Sequence, residues 1–440
     1  MFFSRQVFSS SLLAVVIIVG AGVISGCRSL AADAPRDLLL NLGTEPPTLD
    51  PALATDPGSQ QIDRMIFLSL VDTDAATGAP QHALATSWAV SADGLIWEFK
   101  LRDDAMWVRY IPSTDKIETK RAVNASDVVY SVRRVFDPRV GSSFAPVFAP
   151  MLRGAEQLRA ADPKKTSDAD WERLLANLGV QAVDATTIRF TLTRPASYFP
   201  SVVSTWLVRT QPRESIEAGG SVWTEPGTLW TNGPYVLERW SHSREIILQK
   251  NPYWYDASSV RIAHIHFAMI ADTASALDEY RNGNLDSLDP YGGLIPSDFD
   301  RLKDDPLFGN QLKLAPTLCT HYYGFNTAKA PFNDVLVRKA FIAAIDRETL
   351  VSSVVKLGEP ARWFTRPGIF GSSDISDTLG IPFNANQARD YLKQAGYDKK
   401  RLPAITLAVN TDGMHELVAE TIIQMWKNNL GVEVTTKTVD

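Results

Sequence analysis

The sequence predicts a multi-domain α/β fold. Strand-like runs with period-two alternation give way repeatedly to helix-like runs with helical spacing, in more than one unit. The 440 residues leave room for two or three domains. A composition of 45% hydrophobic and 21% charged residues supports ordinary packed cores. No internal repeat or low-complexity tract competes with this reading.

The elements follow in chain order. Residues 1–27 read as an export signal outside the fold. Arg5 supplies a positive n-region, and the apolar run that begins at Leu12 is too short for a comfortable membrane span. The run ends in Ile24-Ser25-Gly26-Cys27, which resembles a bacterial lipobox. The expected outcome is lipidation at Cys27, a tether over residues 28–36, and an exported, lipid-anchored protein at the bacterial cell envelope, in the periplasm. A plain secretory signal is the alternative.

"DLLLNLG" (37–43) predicts a strand and "EPPTLDP" (45–51) a rigid extended segment, because proline restricts itself and its predecessor. "QQIDRMIFLSLV" (60–71) has helical spacing. Residues 84–107 predict a hairpin, with Ser91-Ala92-Asp93-Gly94 as the turn. "NASDVVYSVRRVFDP" (124–138) is a capped helix stopped by Pro138, and a short helix begins near Ser167 or Asp168. Residues 180–195 and 231–256 predict two further strand pairs, 261–270 a strand and 273–282 a helix. "TLCTHYYGFN" (317–326) reads as a strand. After it, Asn333-Asp334 caps a helix whose stripe is Val335, Val337, Ala340, Phe341, Ala344 and Ile345, ended by Asp346-Arg347. A helix over 384–397, a buried strand at 405–410, a helix over 415–431 and a strand in "VEVTTKTV" complete the chain.

The net charge of −6, with signs mixed along the chain, argues against nucleic acid as a partner. The common nucleophile-elbow, phosphate-loop and zinc-protease motifs are absent. Cys319 and His321 share a strand face but lack a third orienting group, which disfavours thiol catalysis. His264 and His266 would point the same way from a strand, yet a zinc site needs three or four ligands. Half-buried structural histidines are the expected outcome.

Several stretches occur together in a fixed order: "GTEPPTLDP", "GLIWEFKLRDDAMW", "NASDVVYSVRRVFDP", "TNGPYVLERW" with "LQKNPYWYD", "YRNGNLDSLD" and "NTAKAPFNDVLVRKAFIAAIDRETLV". The set resembles the extracytoplasmic solute-binding proteins of oligopeptide and dipeptide ABC importers, the OppA-like family, over everything after residue 37. That resemblance implies a periplasmic-binding-protein-like bilobal fold with an extra domain. Lobe I would hold 37–67 and 205–318, domain II 68–204, and lobe III 319–440. The implied function is capture of oligopeptides outside the membrane by lobe closure and delivery to an ABC permease and ATPase. The protein would be a monomer, without enzymatic activity or cofactor. Binding of a metal chelate, or a non-transporting interaction role, are the alternatives.

The resemblance also carries residues. Thr55, Asp56 and Pro57 match a loop that walls the peptide groove, although relatives place an acidic residue and a glycine at the first two positions. Tyr322 matches a cavity tyrosine, and Asn326 shares its face of the expected strand. Lys356 lies one residue from a family lysine that faces ligand. Trp363 and Arg366 fall in the Pro-rich loop near the site. Relatives continue beyond the point matching Asp440, so lobe III is expected to be incomplete. The resemblance further implies that Cys319 would pair with a cysteine of that continuation.

Overall fold

A computed structural model describes residues 37–75, 77–288, 296–313, 319–365, 379–398, 401–410 and 413–439. Cys27 and Arg366 lie outside the described residues.

The chain enters through strand β1 (Leu38–Asn41) and the extended 45–51 segment, then helix α1 (Pro57–Ile66). Asp56 caps α1 by accepting from the Ser59 amide at 2.8 Å, and Pro57 opens its first turn. Proline fits there because the amide it lacks would have no helical partner. Strands β2 (Val71–Thr73) and β3 (Pro80–His82) form a small antiparallel pair. Next come β4 (Ala85–Val90), β5 (Ile96–Leu101), β6 (Met106–Ile111) and β7 (Lys116–Ala122), followed by α2 (Ala125–Phe136) and α3 (Asp168–Asn177). Strands β8 (Val180–Asp184) and β9 (Thr187–Thr191) join β4 and β5 in an antiparallel sheet of order β4-β5-β9-β8.

The β5 alternation works as predicted. Trp97, Phe99 and Leu101 are buried, while Ile96 and Lys100 face solvent. The turn before β5 needs Gly94, whose φ is +72° and whose missing Cβ would lie 2.9 Å from the Pro195 Cβ.

Helix α4 (Arg213–Gly219) precedes β10 (Trp230–Thr231), which extends the β6–β7 pair into a sheet of order β10-β6-β7. Strands β11 (Tyr235–Ser241), β12 (Glu245–Lys250) and β13 (His264–Ala268) form an antiparallel run, and β1 joins its far edge in parallel to β13. Helices α5 (Thr273–Arg281) and α6 (Pro296–Lys303) follow.

One continuous hydrophobic cluster underlies these elements from Leu42 to Phe267. Two of its buried carboxylates, Asp50 and Asp127, are paired with arginines. Arg134 of α2 donates to both oxygens of Asp50, at 2.6 and 2.5 Å, and to Gln211. Asp127 accepts from Trp107 Nε1 at 3.1 Å and from Arg121, which also reaches Glu214. Asn124 and Asp127 close a capping box on α2.

A second cluster belongs to the rest of the chain. It joins α7 (Val335–Ala343), α8 (Arg347–Leu350), α9 (Ala385–Gln394), β14 (Ile405–Val409), α10 (Gly413–Leu430) and β15 (Val434–Thr438). The two strands pair in parallel, and α10 connects them. Val337, Ala340, Phe341 and Ala344 are buried, and Trp426 donates its indole N–H to the Phe341 carbonyl at 2.9 Å. Asp334 caps α7, as predicted.

Four expectations fail here. Residues 319–326 form no strand, because no described segment gives them a ladder partner. Val335 is 50% exposed, since at the first turn of α7 it points away from the packed face. Asp346 ends nothing; it caps α8. Strand β14 is only half buried, because its sheet has two strands and one face stays open to solvent. No helix among the described residues is long and apolar enough to cross a membrane.

Candidate ligand-binding site

The sequence-derived site residues divide by what their side chains touch. Thr55 is exposed, and Asp56 is occupied at the N-terminus of α1, where the Ser59 hydroxyl also donates to it at 2.6 Å. Asn326 accepts from the Ala328 amide at 3.2 Å in a local turn, a geometry typical of asparagine. Lys356 adopts φ +59° and forms an ion pair with Asp300 of α6. Asp56, Asn326 and Lys356 thus have structural partners of their own.

Tyr322 and Trp363 differ. Tyr322 is 65% exposed and meets Phe364, itself 62% exposed, edge to face at a centroid distance of 5.0 Å. The Thr320 hydroxyl donates to the Phe364 carbonyl at 2.8 Å, fixing the 363–364 segment beside the 320–322 segment. Trp363 is 44% exposed. On the opposite side of the backbone, Tyr323 and Phe325 pack against the second core. Burial therefore alternates over residues 322–326 without a strand, although Cys319 and His321, two steps and one step earlier on the Tyr323 face, are exposed. Exposed aromatic surface of this kind marks a place where another molecule can be covered or covering. Sequence reasoning named Trp363 but missed Phe364 and Thr320. The signal available was the adjacency of two aromatics in "RWFTRP".

Cys319 is exposed and free. The neighbouring His321 ring faces Tyr323 at 5.4 Å and His415 at 4.9 Å. His264 and His266 do share a face of β13, with ring centroids 6.3 Å apart. Asp37 lies between them, accepting from His264 Nδ1 at 2.9 Å and standing 3.5 Å from His266 Nε2. The His264 hydrogen bond, against a small effect of burial, holds the Asp37 carboxyl below its ordinary range. Among the described residues, no group of three or more His, Cys, Asp or Glu is arranged to hold a metal ion.

The described residues thus form two separately cored α/β units, the second carrying an exposed aromatic patch. The family described as bacterial extracellular solute-binding proteins, family 5 Middle, matches residues 79–440. The periplasmic oligopeptide-binding protein OppA of Escherichia coli K12 is 31% identical over 437 residues, which cover 95% of this chain and 75% of the relative. The periplasmic murein peptide-binding protein MppA of the same organism is 32% identical, covering 91% and 70%. The crystal structure of a periplasmic oligopeptide-binding protein from Borrelia burgdorferi superimposes with a TM-score of 0.73 at 28% identity, covering 92% of this chain and 75% of that one. The chain belongs to family 5 of the bacterial extracellular solute-binding proteins.

Proposed function

We propose that this protein captures oligopeptides outside the cytoplasmic membrane and presents them to an ABC permease and ATPase. It acts as a binder without catalysis, held at the membrane through lipid on Cys27. In this reading, residues 37–67 and 205–318 form lobe I, 68–204 the additional domain, and 319–440 lobe III. The peptide lies between lobes, its backbone paired with extended protein segments and its side chains in roomy pockets. Closure then follows from contacts that the ligand makes on both sides.

The observation that carries the reading is the correspondence of more than nine-tenths of the chain with two relatives named for peptide binding. The exposed Tyr322–Phe364 pair offers a surface for the ligand. The chelate alternative loses ground, because Asp37 already occupies both histidines that would serve it.

Isothermal calorimetry with a pool of tri- and tetrapeptides, and separately with a nickel chelate, tests the proposal. Binding heat with peptides is expected, with affinity reduced about fivefold by Tyr322→Ala, the worth of one aromatic contact near 1 kcal/mol. Heat with the chelate alone, or none with either ligand from a cooperatively melting protein, would overturn it.

A further inference from the structure

The side chain of Glu45 sits where three chain segments meet: the extended 45–51 segment, the turn between β11 and β12, and the loop after α4. It accepts from Trp240 Nε1 at 3.1 Å, His242 Nδ1 at 2.6 Å, the Ser243 amide at 2.8 Å and the Ser243 hydroxyl at 3.0 Å. The other nitrogen of the same imidazole, His242 Nε2, faces Glu225 Oε1 at 3.4 Å. The ring lies against Trp240, tilted by 40°, at 4.6 Å between centroids. These residues and Pro46, Pro47 and Thr48 line an open cleft.

His242 thus has a carboxylate at each ring nitrogen. A neutral imidazole carries one N–H and can donate to one of them, leaving a lone pair turned toward the other. Only the imidazolium donates to both. We propose that His242 is a pH-operated clasp: when protonated it fastens the 45–48 segment and the 221–225 loop to the β11–β12 turn, and when neutral it releases one of them. The clasped segment runs on to Asp50, which anchors Arg134, and to Asp56, which caps α1. The state of His242 therefore bears on how firmly the entry to lobe I is held.

Other charges lie near the clasp. Arg239 and Glu245 face each other across the hairpin at 3.5 Å. Arg244, in the turn itself, is held through its backbone by Ser241 and Met269, and its exposed side chain is the other charge beside the clasp. The hydrogen bond that His242 donates to Glu45, reinforced by Glu225, raises the His242 pKa above 6.5. Burial pushes Glu45 up, but the hydrogen bonds from His242 and Ser243 outweigh it and hold the carboxyl below its ordinary value. The sign follows: the clasp is complete below the unfolded histidine value, and its contribution is lost as pH rises through the higher folded value.

Amide hydrogen exchange at pH 6 and pH 8.5, corrected for intrinsic rates, tests the clasp in the full chain. In the wild type, amides of residues 44–48 and 221–226 are expected to exchange about tenfold more slowly at the lower pH. His242→Gln should bring that ratio near one. Glu225→Gln, which keeps the Glu45 contact, should give an intermediate value. Should His242→Gln fail to fold, NMR titration of the wild-type ring decides. An equal pH ratio in wild type and variant, or a His242 midpoint at or below 6.5, overturns the proposal.

Discussion

The two cores are built on different principles. The first, from Leu42 to Phe267, buries ionisable side chains: Asp50, Asp63, Asp127 and Arg209 are all less than 5% exposed. Burial drives the Asp63 carboxyl well above its ordinary range and lowers Arg209 to about 10. The second core, around Phe341 and Trp426, buries no charged side chain among the described residues, and instead leaves Tyr322, Trp363 and Phe364 exposed. Buried ion pairs are poor sources of net stability but demand one geometry. An apolar core tolerates small rearrangements at lower cost. The contrast teaches that the first unit is the fixed frame, while the second keeps aromatic surface available for contact.

Substitutions in each unit can break or sharpen that contrast. The largest effect is expected from Arg134→Ala, which strands Asp50 in the core and should cost about 3–5 kcal/mol in denaturant unfolding. Hydrogen exchange should quicken across α1 and α2 and stay unchanged across α7 and α10. If both regions respond alike, the two cores are one cooperative unit and the comparison fails. Phe341→Ala, with its side chain fully buried, should cost about 3 kcal/mol or more, with the exchange pattern reversed. The smallest change is Asp334→Ala, which removes the cap of α7 for about 1 kcal/mol. It should raise exchange at the first turn of α7 alone, and spread of the effect into the first core would contradict the separation.

What was legible in the sequence was local. Alternation marked β5, and the run from Asn124 to Ser126 and the pair Asn333-Asp334 marked the starts of their helices, because each signal lies within a few residues of its effect. The Asp50–Arg134 pair joins residues 84 apart, and the Glu45–His242 contact joins residues 197 apart. No periodicity links such partners, so neither was visible. The 319–326 segment was misread for a related reason. Its β-branched and aromatic content fits a strand, but a strand also needs a neighbour, and no described segment supplies one. Of the proposed site residues, Tyr322 and Trp363 combine exposure with aromatic surface. Asp56 and Asn326 carry capping and turn chemistry that the same letters predict equally well.

The parallel pairing of β1 with β13 bears on how the protein reaches its structure. Asp37, at the threshold of β1, meets His264 across 227 residues of chain. A chain made from its N-terminus produces β1 first and must keep it unpaired until that intervening length exists. Such a contact closes a very long loop, and pairings of this range are slow to form. The β11–β12–β13 meander can assemble early from neighbours in sequence, so β1 is expected to dock as one of the last acts of folding in this half of the molecule.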